Sequence, residues 1–210
     1  MFGLFKLRKN TLSEIELVSA MLTALPEEYA IYLLQIKEGL INRIHHNASD
    51  IPNYHSFRFN GNVIAKFEDR KGRNFKVSNI KVNDSASGQF MLYSLYFSYG
   101  VINGYSADSA PKKSTPNLKS IDTTDFKKSY FENPDYKKIE ALLTEEEKRL
   151  INESDVYAVP LSGITLYTVQ LLENGDFIGI TADNMAYIAT HDPLELNEID
   201  RPQLKNYLEQ

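Results

Sequence analysis

Near residue 40 the hydrophobic period of the chain changes from about 3.6 to about 2, and this switch constrains the fold more than any other feature. Two helical stripes precede it. Thr11 and Glu14 have the spacing of a capping box, in which each side chain satisfies a free first-turn amide. Ile15, Val18 and Leu22 then recur at helical intervals, with Leu12 extending the stripe. The second helix opens at Leu25-Pro26-Glu27-Glu28-Tyr29. A first-turn proline loses no hydrogen bond there, and acids are favoured at the positive end of the helix dipole. Tyr29, Tyr32, Leu33 and Ile36 form its apolar side, and Gly39 is its stop.

Beyond the switch the pattern is that of strands. HSFRFN and NVIAKFED flank Asn60-Gly61, a pair that tolerates positive φ and predicts a tight hairpin. NFKVSNIKV and the dense apolar run QFMLYSLYFSYGVINGY continue an antiparallel meander of strands. Residues 106–129 are rich in Ser, Thr, Pro and Lys and poor in large apolar groups, which predicts a long loop or insertion. Two short helices follow, one over Asp135 to Leu143 and one opened by a Thr144–Glu147 capping box. Residues 155–190 read as further strands, with a second hairpin signal at Asn174-Gly175. Asp200-Arg201-Pro202 starts a C-terminal helix carrying Leu204, Tyr207 and Leu208. The expectation is one α+β domain over 1–210: an antiparallel meander, an N-terminal helical pair and short helices packed on the sheet.

Composition narrows the function classes. A net charge of −5 argues against general nucleic-acid binding, which needs clustered positive charge. The chain holds no cysteine, so disulfides, thiolate zinc sites and cysteine nucleophiles are excluded, and a reducing, cytoplasmic setting is favoured. MFGLFKLRKN lacks the apolar run that a secretory signal places after its bases, and no stretch of about 18 apolar residues predicts a membrane span. The charge is uneven: Lys66 to Lys81 holds six basic and two acidic residues, whereas Leu171 to Gln210 holds eight acidic and two basic. Such asymmetry steers charged partners.

The stretch ENGDFIGITADNMAYIATHDPLE, residues 173–195, most resembles chemistry. A calcium loop needs closely alternating oxygen ligands, but Asp176, Asp183 and Asp192 are separated by the apolar runs FIGITA and NMAYIAT. Two strands with acidic ends explain the pattern better. A small hydrolase using these acids and His191 stays open as the alternative. His45 and His46, being adjacent in a strand, point to opposite faces and cannot share a metal from there. His55 and His191 complete the histidines, and no His-Glu-x-x-His, phosphate loop or nucleophile elbow occurs. No cofactor or metal is therefore expected. LYSLYFSYG carries aromatics that could stack bases, but its alternation is equally that of a core strand.

LPEEYAIYLL, between a short helix and the sheet, resembles the SMI1/KNR4-like (SUKH) superfamily, and ENGDFIGITADNMAYIATHD is similar to that superfamily's closing hairpin. With the short helix before the first of them, these stretches cover about 45 of the 210 residues. The chain departs from the family in having Glu38-Gly39-Leu40 after the second helix, where a glycine pair is common, and in lacking tryptophan. The resemblance implies a non-enzymatic α+β protein-binding domain; bacterial members are commonly immunity proteins that sequester a toxin, often a nuclease. An acidic face suits a basic toxin. On this reading Asp176, Asp183, Asp192 and Glu195 are the partner contacts, with Tyr187 as an aromatic anchor. A structural or assembly role, with 106–129 ordering on a partner, is the third expectation.

Overall fold

The computed structural model describes residues 9–46, 49–109 and 114–209, with only the backbone of 9–11. Within them the chain is α+β, with six α-helices and twelve strands that all pair antiparallel. No helix among the described residues is long and apolar enough to cross a membrane. Residues 1–8, most of the MFGLFKLRKN stretch, lie outside the described residues. The chain groups into two compact units, residues 1–69 with 74–130 and residues 70–73 with 131–210, where the sequence reading treated 1–210 together.

The first unit opens with α1 (Lys9–Ala24) and α2 (Ala30–Lys37). Val18 and Leu22 are buried as the helical spacing predicts, joined by Leu17 and Met21, but Leu12 is exposed. Fully burying such side chains contributes about 1.5–3 kcal/mol each. The expected capping box does not open α1, which already runs from Lys9 and so places Thr11 inside the helix; Glu14 faces the sheet instead. Pro26 leads into one 3-10 turn, Glu27–Tyr29, before α2 begins. Gly39, at φ +85°, ends that helix. The buried Gln35 amide donates to Gly100 O at 2.8 Å and its carbonyl accepts from Ile102 N–H at 3.2 Å, which fixes α2 on the sheet.

The strands are β1 (Ile41–His46), β2 (Tyr54–Phe59), β3 (Phe75–Asp84), β4 (Phe90–Ser98), β5 (Val101–Ala107), β6 (Pro116–Asp122) and β7 (Lys127–Tyr130). Their order is β1-β2-β5-β4-β3-β6, with β7 also on β3. The expected hairpin at Asn60-Gly61 does not form. Asn60 instead caps α3 (Gly61–Phe67), its side chain accepting from Asn62 N–H. Val63, Ile64 and Phe67 lie on one helical stripe that packs on the core, and this burial overrides the turn propensity of the dipeptide. A hairpin there would have paired β2 with residues 62–69; most of those residues form α3 instead, and β5 stands beside β2. The second correction concerns 106–129. Residues 116–122 and 127–130 are strands, because β3 offers them a ladder that polar residues can complete with backbone alone.

The second unit holds α4 (Pro134–Ile139), α5 (Glu145–Leu150), the strands β8 (Ala158–Leu161), β9 (Ile164–Leu171), β10 (Phe177–Ile180), β11 (Ala186–His191) and β12 (Leu194–Ile199), and α6 (Arg201–Leu208). Its sheet is a sequential meander, β12-β11-β10-β9-β8. The Thr144–Glu147 capping box is present in both directions, and a second joins Asp200 to Gln203 at the start of α6. Ile139, Ile178, Ile180 and Leu204 form the fully buried centre between the helices and one sheet face.

Candidate functional site

In the second unit, Asn174 (φ +61°) and Gly175 (φ +87°) turn the chain between β9 and β10 as expected. This delivers Asp176 next to the end of β11. Its Oδ1 accepts from the His191 backbone N–H at 3.0 Å, and the His191 ring Nδ1 lies 3.0 Å from the same oxygen. The hydrogen bond to the His191 ring, then that from its backbone, holds the Asp176 carboxyl below the usual aspartate range. Among the described residues the carboxylate that meets His191 is Asp176. His191 itself is 59% exposed.

The antiparallel meander sorts the other candidates by end. Asp192 lies in the β11–β12 turn and Glu195 pairs with Thr190, so both share the Asp176 end. Asp183 lies in the β10–β11 turn at the opposite end, separated by the six residues of β11. At about 3.3 Å per residue that is about 20 Å. Tyr187, between Gly179 and Glu198, packs against Phe177, Ala189 and Leu166 and is partly buried. The five candidates thus line both ends and the middle of the β10–β11–β12 meander.

A second constellation lies in the first unit, where no sequence motif marked it. β1 and β2 pair with His46 opposite His55, which puts both rings on one face. Their Nδ1 atoms approach to 2.7 Å, and the rings meet edge to face at 4.6 Å. His45, opposite Ser56, takes no part, in keeping with the alternation of strand faces. Glu14 from α1 completes the group, its Oε1 lying 3.3 Å from His55 Nδ1 and 3.6 Å from His46 Nδ1. Tyr105 of β5 donates its hydroxyl to the same oxygen at 2.6 Å and stacks on His55 at 4.6 Å.

Local structure explains how these groups are held. β2 can approach β5 because residue 104 is glycine: a Cβ there would stand 2.5 Å from the Tyr54 hydroxyl and 2.6 Å from His55 O. That approach seats His55 over the Tyr105 ring. Burial opposes ionisation of Glu14, but hydrogen bonds from His55 and Tyr105 and the charges of both histidines outweigh it, leaving its pKa below the usual value. Burial, and then the Glu14 carboxylate, raise the Tyr105 hydroxyl, so it stays a donor. Glu14 is 16% exposed and His55 22%, whereas His46 is 52% exposed, so the cluster opens to solvent on the His46 side. Sequence reasoning missed it because Glu14 was assigned to a cap and the histidines were weighed by adjacency. The signal that would have found it is the β1–β2 register.

Fold and sites together define an α+β protein of two antiparallel sheets, one edged by acids and the other carrying a carboxylate–histidine cluster. No protein-family model, curated protein or solved structure matches the chain.

Proposed function

We propose that this chain is a non-enzymatic protein-binding domain that presents the acidic edge of its second sheet to a basic partner. The observation that carries this reading is the state of β12. It is the terminal strand of its sheet, with Leu194, Glu195, Asn197 and Glu198 exposed. Such an edge is a template for another chain, and its acids select a basic one. The opposite edge, β8, is blunted by Pro160, which cannot donate to a further strand. Asp176 and Asp192 extend the negative surface at one end and Asp183 at the other. The resemblance of LPEEYAIYLL and the closing hairpin to SUKH proteins gives the partner a class: a basic toxin, neutralised by an immunity protein in a bacterial cytoplasm. The net charge of −5 favours a basic protein over a nucleic acid.

The hydrolase alternative draws on the Asp176–His191 contact. It is the weaker reading, since that pair stands exposed at a hairpin tip, and acid–base chemistry gains from a site that excludes water.

The test is capture of the partner from the host, followed by calorimetry with the captured protein. The double reversal Glu195→Lys, Glu198→Lys weakens binding by about tenfold or more, and the wild-type affinity falls as salt rises. Affinity unchanged by the reversal would remove the acidic edge from the interface.

A further inference from the structure

We infer that Glu14, His46 and His55 form a binding site for a single transition-metal dication of the zinc type. Three potential ligand atoms, two imidazole Nδ1 and one carboxylate Oε1, lie within 4.8 Å of one another. They come from three separate elements: α1, β1 and β2. Ligand atoms arranged tetrahedrally at about 2.0–2.1 Å from an ion lie about 3.3 Å apart. The two histidine–glutamate separations, 3.3 and 3.6 Å, already match that spacing. The Nδ1–Nδ1 separation of 2.7 Å has only to widen, and the half-exposed His46 ring is free to move outward.

Two further observations point to a ligand. Glu14 Oε2 is buried and has no hydrogen-bond partner among the described residues, and an ion held by both carboxylate oxygens would satisfy it. Two imidazole Nδ1 atoms at 2.7 Å must share one proton, because two lone pairs at that distance repel and two N–H groups clash. A dication replaces that proton and satisfies both nitrogens and the carboxylate at once. Tyr105 takes the part of an outer group that orients a metal-binding carboxylate, through its 2.6 Å hydrogen bond to Oε1. The stacked Tyr105 ring fixes the plane of His55.

The donor set selects the metal class. Two imidazoles with one carboxylate suit zinc and its neighbours, whereas magnesium and calcium prefer oxygen alone. Solvent access on the His46 side leaves a further ligand position for water. The site belongs to the first unit and uses none of the acidic edge of the second.

The experiment is a zinc titration of the full chain at neutral pH against a chromophoric chelator, with magnesium as the control ion. One zinc binds per chain, and magnesium does not compete. His46→Gln, a substitution at a half-exposed position that leaves the core intact, weakens zinc by about tenfold to a hundredfold, and Glu14→Gln does the same. Tyr105→Phe weakens it by about tenfold, the lower end for an orienting group. His45→Gln and Asp176→Asn leave the affinity unchanged. No saturable zinc binding below about 100 µM would overturn the site, as would a His46→Gln protein that binds like wild type. Circular dichroism of the metal-free variants confirms that each is folded when compared.

Discussion

Glu14 and Asp176 are both carboxylates that meet histidine, and they differ in where their partners come from. Asp176 is clipped by the backbone and ring of one residue, His191, across a hairpin. Glu14 is reached by Tyr105, 91 positions away, and by two histidines from facing strands. Asp84 in the first unit resembles Glu14 in this respect. It is buried and accepts from Ser87 nearby and from Ser114 and the Thr115 backbone on the returning segment. The difference teaches that the same chemical pair can be a surface clip or a structural junction. What decides is whether the partners are delivered by the tertiary fold and whether water is kept away.

The comparison breaks most readily at Gly104. Gly104→Ala forces β2 away from β5, because the new methyl meets the Tyr54 hydroxyl and His55 O. The expected loss is about 1–3 kcal/mol in denaturant unfolding, typical of overpacking. His55 and Tyr105 lose their stacking at the same time.

An intermediate effect is expected at Asp84, read through pH. Ser87, the Thr115 N–H and Ser114 hold its carboxyl down to about 2, against an ordinary value of 3.8. A group depressed on folding contributes stability that is present above its unfolded value and lost as pH falls through its folded one. The wild-type protein therefore loses this contribution as pH falls from 3.8 towards about 2. Asp84→Asn is less stable at neutral pH and shows a flatter acid limb in thermal melts. An identical acid limb in the two proteins would mean that Asp84 does not tie down the returning segment.

The smallest effect is expected at Asp176. Asp176→Asn leaves the melting temperature unchanged within error at physiological salt, since an exposed pair with one partner is screened and readily replaced by water. A clear fall would place this clip with the junctions of the first unit.

Legibility in the sequence followed the same division. The capping box at Thr144, the helix start at Asp200, the stop at Gly39 and the turn at Asn174-Gly175 were readable. So were the strands over 75–84, 90–98 and 101–107. Among the acidic candidates, sequence located the hairpin but not its two ends, because the end on which an acid falls depends on strand direction. The Glu14 cluster was not legible at all. His46 and His55 are nine positions apart and meet only through the β1–β2 register.

The two Asn-Gly pairs show where sequence stops. At 174–175 both residues take positive φ between two strands, as their chemistry prefers. At 60–61 the same dipeptide starts a helix, because Val63, Ile64 and Phe67 gain more by packing on the core than the turn would return. Sequence by itself determined the α+β class, the helix starts at Thr144 and Asp200 and the acidic stretch from Leu171 to Gln210, since those depend on groups within a few positions or on composition alone. Tertiary structure decided the strand order of the first sheet, the strands at 116–122 and 127–130, and the gathering of Glu14, His46, His55 and Tyr105. Each of these depends on contacts between distant segments, and such contacts exist only once the core has chosen which faces to bury.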